Sequence, residues 1–132
     1  MVDDDRKYAL AWRTGQPVLE YALSGYWTAA DARAWKAAIS AEVTRRGGAG
    51  PWYMIGDLSA LKTQPDEVND IRDEVTRLTL ANGLAGCVMY GISAVALLQL
   101  RRLLTASGRA GTFAYTETGA EAERQLKAWM TP

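Results

Sequence analysis

Residues 19–35 read LEYALSGYWTAADARAW, and within this stretch the apolar pattern changes its period. Leu19, Tyr21 and Leu23 alternate with Glu20, Ala22 and Ser24, the period-two signature of a half-buried strand. Gly25 ends the alternation. Thr28 then stands three residues before Asp31, so a hydroxyl can cap a helix while a carboxylate reaches back to it. Ala32, Trp35, Ile39 and Val43 follow at spacings of three and four, with Arg33, Lys36, Glu42 and Arg45 largely on other faces. A strand passing into a capped amphipathic helix points to an α/β chain.

Upstream, Tyr8, Leu10 and Trp12 alternate with Lys7, Ala9, Ala11 and Arg13, and Thr14-Gly15-Gln16-Pro17 is turn chemistry. The first two strands therefore form an antiparallel hairpin. Downstream, Gly47-Gly48-Ala49-Gly50-Pro51 stops the helix, and Trp52-Tyr53-Met54-Ile55-Gly56 predicts a short apolar strand ending at Asp57. Pro65-Asp66-Glu67 opens a second helix, with proline in the first turn and acids where the helix dipole favours them. Its stripe is Val68, Ile71, Val75 and Leu78, closed by Asn82-Gly83. Gly86 to Ile92 reads as a further buried strand. Ser93 caps a third helix bearing Val95, Leu97, Leu98, Leu100, Leu103 and Leu104, an apolar arc wide enough to predict cover on more than one side. Thr112 to Tyr115 is the last strand, and Thr118 with Glu121 caps a final helix carrying Ala122, Leu126 and Trp129.

The order β-β-α-β-α-β-α-β-α predicts an α/β fold with a mixed, mainly parallel five-stranded sheet. Residues 1–6 read as an acidic tail and residues 7–132 as one domain, a size able to bury a core without staples.

Composition closes several functional classes. The 132 residues contain no histidine, which removes Ser-His and Cys-His nucleophiles and the commonest transition-metal ligand. One cysteine makes neither an internal disulfide nor a thiolate zinc cluster. Fifteen basic residues balance fifteen acidic ones and the pI is near 6.3, which argues against a nucleic-acid module. No apolar run approaches the ~18 residues of a membrane span, and the acidic Asp3-Asp4-Asp5 start is unlike a secretory signal. The expectation is a cytoplasmic protein with a reduced Cys87.

Motifs add little chemistry. The Gly47–Gly50 run follows a helix and precedes a strand, the reverse of a phosphate cradle. Asp57 at a strand end, with Asp66, Glu67, Asp70, Asp73 and Glu74 on the next helix, allows a carboxylate acid/base or Mg²⁺ site, or simply a solvated acidic face. Ser59 and Ser93 are hydroxyls at strand ends without a histidine base, and Cys87 lies between apolar neighbours as a core thiol does. Trp12, Tyr21, Tyr26, Trp27 and Trp35 read either as core or as a dimer or ligand surface on an uncovered sheet face.

Three short stretches resemble SpoIIAA-like proteins. Leu23-Ser24-Gly25-Tyr26-Trp27-Thr28 resembles their L-x-G-x-(W/L)-T entry from strand to helix. Gly56-Asp57-Leu58-Ser59-Ala60-Leu61 resembles their D-L-S-x-(L/V) strand end, and Gly91-Ile92-Ser93-Ala94-Val95 precedes a similar leucine-rich helix. The likeness runs from Lys7 to Met130 and implies a STAS-type fold, related in architecture to CRAL-TRIO lipid-binding domains. Proteins of this kind include anti-sigma-factor antagonists, which bind a kinase partner and are switched by phosphorylation of a serine in a D-S-[ST]-G signature at the second helix start. Pro65-Asp66-Glu67-Val68 stands there instead, so the phosphoacceptor is missing and acids occupy its place.

The resulting expectation is a non-enzymatic regulatory or partner-binding domain without a cofactor or metal, a homodimer that binds no nucleic acid. Its partner surface is expected around Asp57, Ser59, Lys62, Thr63, Asp66 and Glu67. Acids at Asp3–Asp5 and along Asp66–Glu74, set against Arg45-Arg46 and Arg101-Arg102, point to a protein partner. The alternative is a carrier of a small apolar or lipid-like ligand, suggested by the CRAL-TRIO kinship and the abundant Trp and Tyr. An enzyme using Asp57 as its base is a further alternative.

Overall fold

A computed structural model describes residues 7–132. The acidic segment 1–6 lies outside them. Strands β1 (Tyr8–Trp12) and β2 (Val18–Gly25) form the expected antiparallel hairpin, with Leu10 opposite Tyr21. Helix α1 (Ala29–Arg46) leads to β3 (Trp52–Leu61), α2 (Asp66–Ala81) to β4 (Leu84–Tyr90), α3 (Ala94–Ala106) to β5 (Phe113–Tyr115), and α4 (Gly119–Met130) follows. The sheet order is β1-β2-β3-β4-β5, with every pair after the hairpin parallel.

Local chemistry sets the helix ends. Thr28 and Asp31 form a reciprocal capping box at α1, as Thr118 and Glu121 do at α4. Lys7 tightens the first box by donating to Asp31 Oδ2 at 3.0 Å and to the Tyr26 carbonyl at 2.6 Å. Ser93 Oγ accepts from the Ala96 N–H at α3, and Gly47 ends α1 in the left-handed region.

Two cores sandwich the sheet. On one face Leu19, Tyr21, Leu23, Met54, Cys87 and Met89 pack against Trp35 and Ile39 of α1 and Val68, Ile71 and Val75 of α2. Trp35 is the hub, with ring centroids 5.5 Å from Tyr8, 5.3 Å from Tyr21 and 6.4 Å from Trp27. Gly56 is needed beneath Tyr21, because a Cβ there would sit 2.2 Å from the ring. On the other face Ala122 and Leu126 of α4 cover Val18, Ile55 and Val88. Most of the aromatics noted in the sequence are therefore core: Tyr21, Trp27 and Trp35 are buried and Tyr26 is exposed.

Several expectations are corrected. Strand β3 does not end at Asp57 but continues to Leu61, because after its pairing with β4 stops at Asp57–Tyr90 it keeps pairing with β2 through a bulge, Ser24 opposite Ala60 and Gly25 opposite Leu61. Strand β4 starts two residues earlier than expected and ends at Tyr90, since Gly91 turns away with φ +83°. Pro65 is the residue before the first turn of α2 rather than within it. The wide apolar arc of α3 is not covered on more than one side: Leu97 alone is buried, while Val95, Leu98 and Leu103 are exposed. The helix packs mainly on β5, a three-residue edge strand too small to cover it.

Candidate functional site

The expected site spans the end of β3, the following loop and the first turn of α2. Asp57 lies inside β3, half-buried, and its Oδ1 accepts from the Ser59 N–H at 2.9 Å and the Ser59 hydroxyl at 2.6 Å. Both interactions hold Ser59 in a local turn of the kind carboxylates favour. Gly91 packs so closely that a Cβ on it would meet the Ser59 nitrogen at 2.6 Å, which fixes the end of β4 against this turn. Lys62, Thr63, Asp66 and Glu67 are exposed. Glu67 faces Arg33 of α1 at 3.7 Å with both side chains largely in water, a weak pair.

The residue that organises this loop is one that sequence reasoning passed over. Gln64 is buried; its Oε1 accepts from the Trp27 N–H at 2.8 Å, and its Nε2 donates to the carbonyls of Gly25 at 2.8 Å and Lys62 at 2.7 Å. One side chain thus ties the β2–α1 turn to the β3–α2 loop. Nothing local in the sequence marks it, since the two partners that make it a tie, Trp27 and Gly25, lie 37 and 39 residues away.

Asp57 also lines a concavity of about 330 Å³ on the α4 side of the sheet, together with Ala9, Ala11, Ala22 and Tyr90. Burial, with a contribution from Asp57, raises the Tyr90 hydroxyl above its ordinary pKa. Arg13 closes the rim through ion pairs with Glu20 and Glu123. Cys87 is buried beside the Tyr21 hydroxyl, 3.5 Å away, and burial pushes its thiol up to about 12 against that hydrogen bond. Such a thiol is protonated and unreactive at neutral pH.

The charge blocks are largely used internally. Lys36 bridges to Glu74 at 2.6 Å between α1 and α2, and Arg77 and Arg109 both reach Asp73. Burial alone would raise the Asp73 carboxyl, yet the Arg109 and Arg77 hydrogen bonds hold it below its ordinary value. Arg46 donates to three carbonyls of the loop after α1 and stacks over Trp12, and Arg101 donates to the Tyr115 carbonyl.

A larger cleft of about 460 Å³ opens between α2 and α3. Its floor is Tyr21, Met89 and Phe113, its α3 wall is Leu103 and Leu104, and Arg72 of α2 projects from the opposite wall. Arg72 is half-buried and its guanidinium has no hydrogen-bond or ion-pair partner among the described residues. Its neighbour Asp73 also lines the cleft, but it is paired with Arg77 and with Arg109, which lines the cleft too. Sequence reasoning missed Arg72 because it follows Ile71 in the α2 stripe and looks like any flanking cation.

Among the described residues no group of three or more potential metal ligands occurs, and no helix is long and apolar enough to cross a membrane. Neither a family model nor a curated protein sequence matches the chain. Solved structures do. A serine-to-glutamate variant of RsbS from Moorella thermoacetica matches with a TM-score of 0.63 at 20% identity, over 92% of this chain and 96% of its own. An uncharacterised DUF3478-family protein with a SpoIIAA-like fold from Shewanella loihica matches at 0.70 and 15% identity, over 96% and 98%. An anti-sigma factor antagonist from Mycobacterium paratuberculosis matches at 0.55 and 20% identity, over 96% and 99%. Likeness at this level of identity speaks to architecture, and with the five-stranded mixed sheet and four helices it shows that this chain has a SpoIIAA-like, STAS-type fold.

Proposed function

We propose that this chain is a non-enzymatic regulatory domain that docks a protein partner through the end of β3 and the start of α2. The observation that carries the proposal is the exposed acidic helix start. The side chains of Lys62, Thr63 and Asp66 are exposed with no hydrogen-bond or ion-pair partner among the described residues, on a loop tied down by Gln64. Rigid exposed polar groups lose little entropy on docking. The likeness to an anti-sigma factor antagonist supports the same reading. Asp66 and Glu67 stand where the family resemblance puts a phosphoacceptor, so the surface carries permanent negative charge and works without a phosphorylation switch there. The domain spans residues 7–132, acts in the cytoplasm and pairs as a homodimer.

A photocrosslinker at Lys62, compared with one at the distant Lys127, tests the docking surface in cells. A discrete adduct from position 62 alone, lost when Asp66→Lys and Glu67→Lys are combined, is expected. Equal labelling from both positions overturns the reading, and a stoichiometric phosphate on Ser59 or Thr63 restores a phospho-switch.

A second reading, a carrier of a small apolar ligand, is favoured by the cleft between α2 and α3, whose 460 Å³ falls in the range of small-molecule sites.

A further inference from the structure

The cleft combines features that an ordinary packing defect does not. Its floor is largely apolar, yet the Arg72 guanidinium lines it without a hydrogen-bond or ion-pair partner among the described residues, the nearby Asp73 carboxylate being taken by Arg77 and Arg109, and a half-buried guanidinium is costly unless paired. The guanidinium acts on two tyrosine hydroxyls at once, lowering the pKa that burial would otherwise give Tyr21 and Tyr115. The Tyr21 hydroxyl is occupied by Cys87 Sγ, whereas that of Tyr115 has no hydrogen-bond partner among the described residues. A planar five-donor cation and a free hydroxyl thus line the same mostly apolar slot, beside the Asp73–Arg109 ion pair. The slot itself exists because α3 rests on β5 and stands away from α2.

We propose that this cleft binds a medium-chain carboxylate, its head group on Arg72 and the Tyr115 hydroxyl and its chain over Met89, Phe113 and Leu104. The proposal deepens the carrier reading and rests on it. A carboxylate accepts both donors and supplies the charge that Arg72 lacks. The exposed Leu103 at the lip of the cleft lets an alkyl chain enter without displacing the core beneath Tyr21. A neutral ligand of the same shape would leave Arg72 unpaired in a drier cleft, which is less favourable than leaving it hydrated.

Titration of the whole chain with decanoate, below its micellar concentration, and separately with decanol tests this, read by calorimetry and by the fluorescence of Trp35 on the cleft wall. Decanoate should bind at least tenfold more tightly than decanol. Arg72→Gln should weaken decanoate about tenfold or more and leave decanol unchanged, and Tyr115→Phe should weaken decanoate a few-fold. Should Arg72→Gln fail to fold, Tyr115→Phe alone decides. Equal affinity for acid and alcohol, or a decanoate affinity untouched by the variants, overturns the carboxylate assignment while the apolar carrier survives. Binding of neither probe removes both.

Discussion

Helix α1 is dotted with charge and still buries Ala32, Trp35 and Ile39, whereas α3 carries five leucines and a valine and buries only Leu97. Hydrophobicity does not explain the difference. Position over the sheet does. Helix α1 lies beside α2 over the β1–β2 hairpin, where Trp35 meets Tyr8 and Tyr21, and ion pairs from Arg33 and Lys36 join the two helices. Helix α3 rests mainly on the short edge strand β5, so most of its apolar arc has little surface to meet. One side of the molecule is a packed scaffold. The other is an apolar helix beside an open cleft, the kind of region from which ligand-responsive segments are drawn.

Four experiments break or sharpen this contrast. Trp35→Ala removes the hub of the aromatic cluster and should cost about 3–5 kcal/mol in urea unfolding; a loss below 1 kcal/mol would mean the α1 side is not the scaffold. Thr28→Ala removes the hydroxyl cap of α1 and should cost about 1 kcal/mol. The Thr28 backbone N–H, and then Lys7, hold the Asp31 carboxyl below its ordinary 3.8. Its contribution is therefore complete above that value and lost as pH falls through the lower folded one. Wild type and Asp31→Asn should accordingly differ near neutrality and converge in acid. Leu98→Ser on the outer face of α3 should change stability by less than about 0.5 kcal/mol. A loss of 2 kcal/mol or more, growing with protein concentration, would show that a second copy covers α3 in solution.

Much of the fold was legible because it rests on short-range chemistry. The hairpin followed from alternation around a turn, and both capping boxes followed from residues three apart. The candidate site was legible only as a set of residue types. Asp57 and Ser59 do meet, but as a closed local turn, and the latch that orders the loop is Gln64, whose partners are remote in sequence. The aromatics were ambiguous for a related reason. Trp and Tyr suit both cores and wet pocket walls, and only their packing on α1 separated the two.

By itself, then, the sequence determined the element order, the mainly parallel sheet, the helix ends and the absence of histidine chemistry, because each depends on residue identity or on neighbours within one turn. Tertiary structure alone decided that β3 runs past Asp57 to Leu61, that Val95, Leu98 and Leu103 of α3 stay exposed and that the Arg72 guanidinium lines a cleft without an ion-pair partner among the described residues. Those outcomes depend on which strand or helix arrives from elsewhere in the chain to pair, cover or neutralise a group, and local sequence carries no record of that arrival.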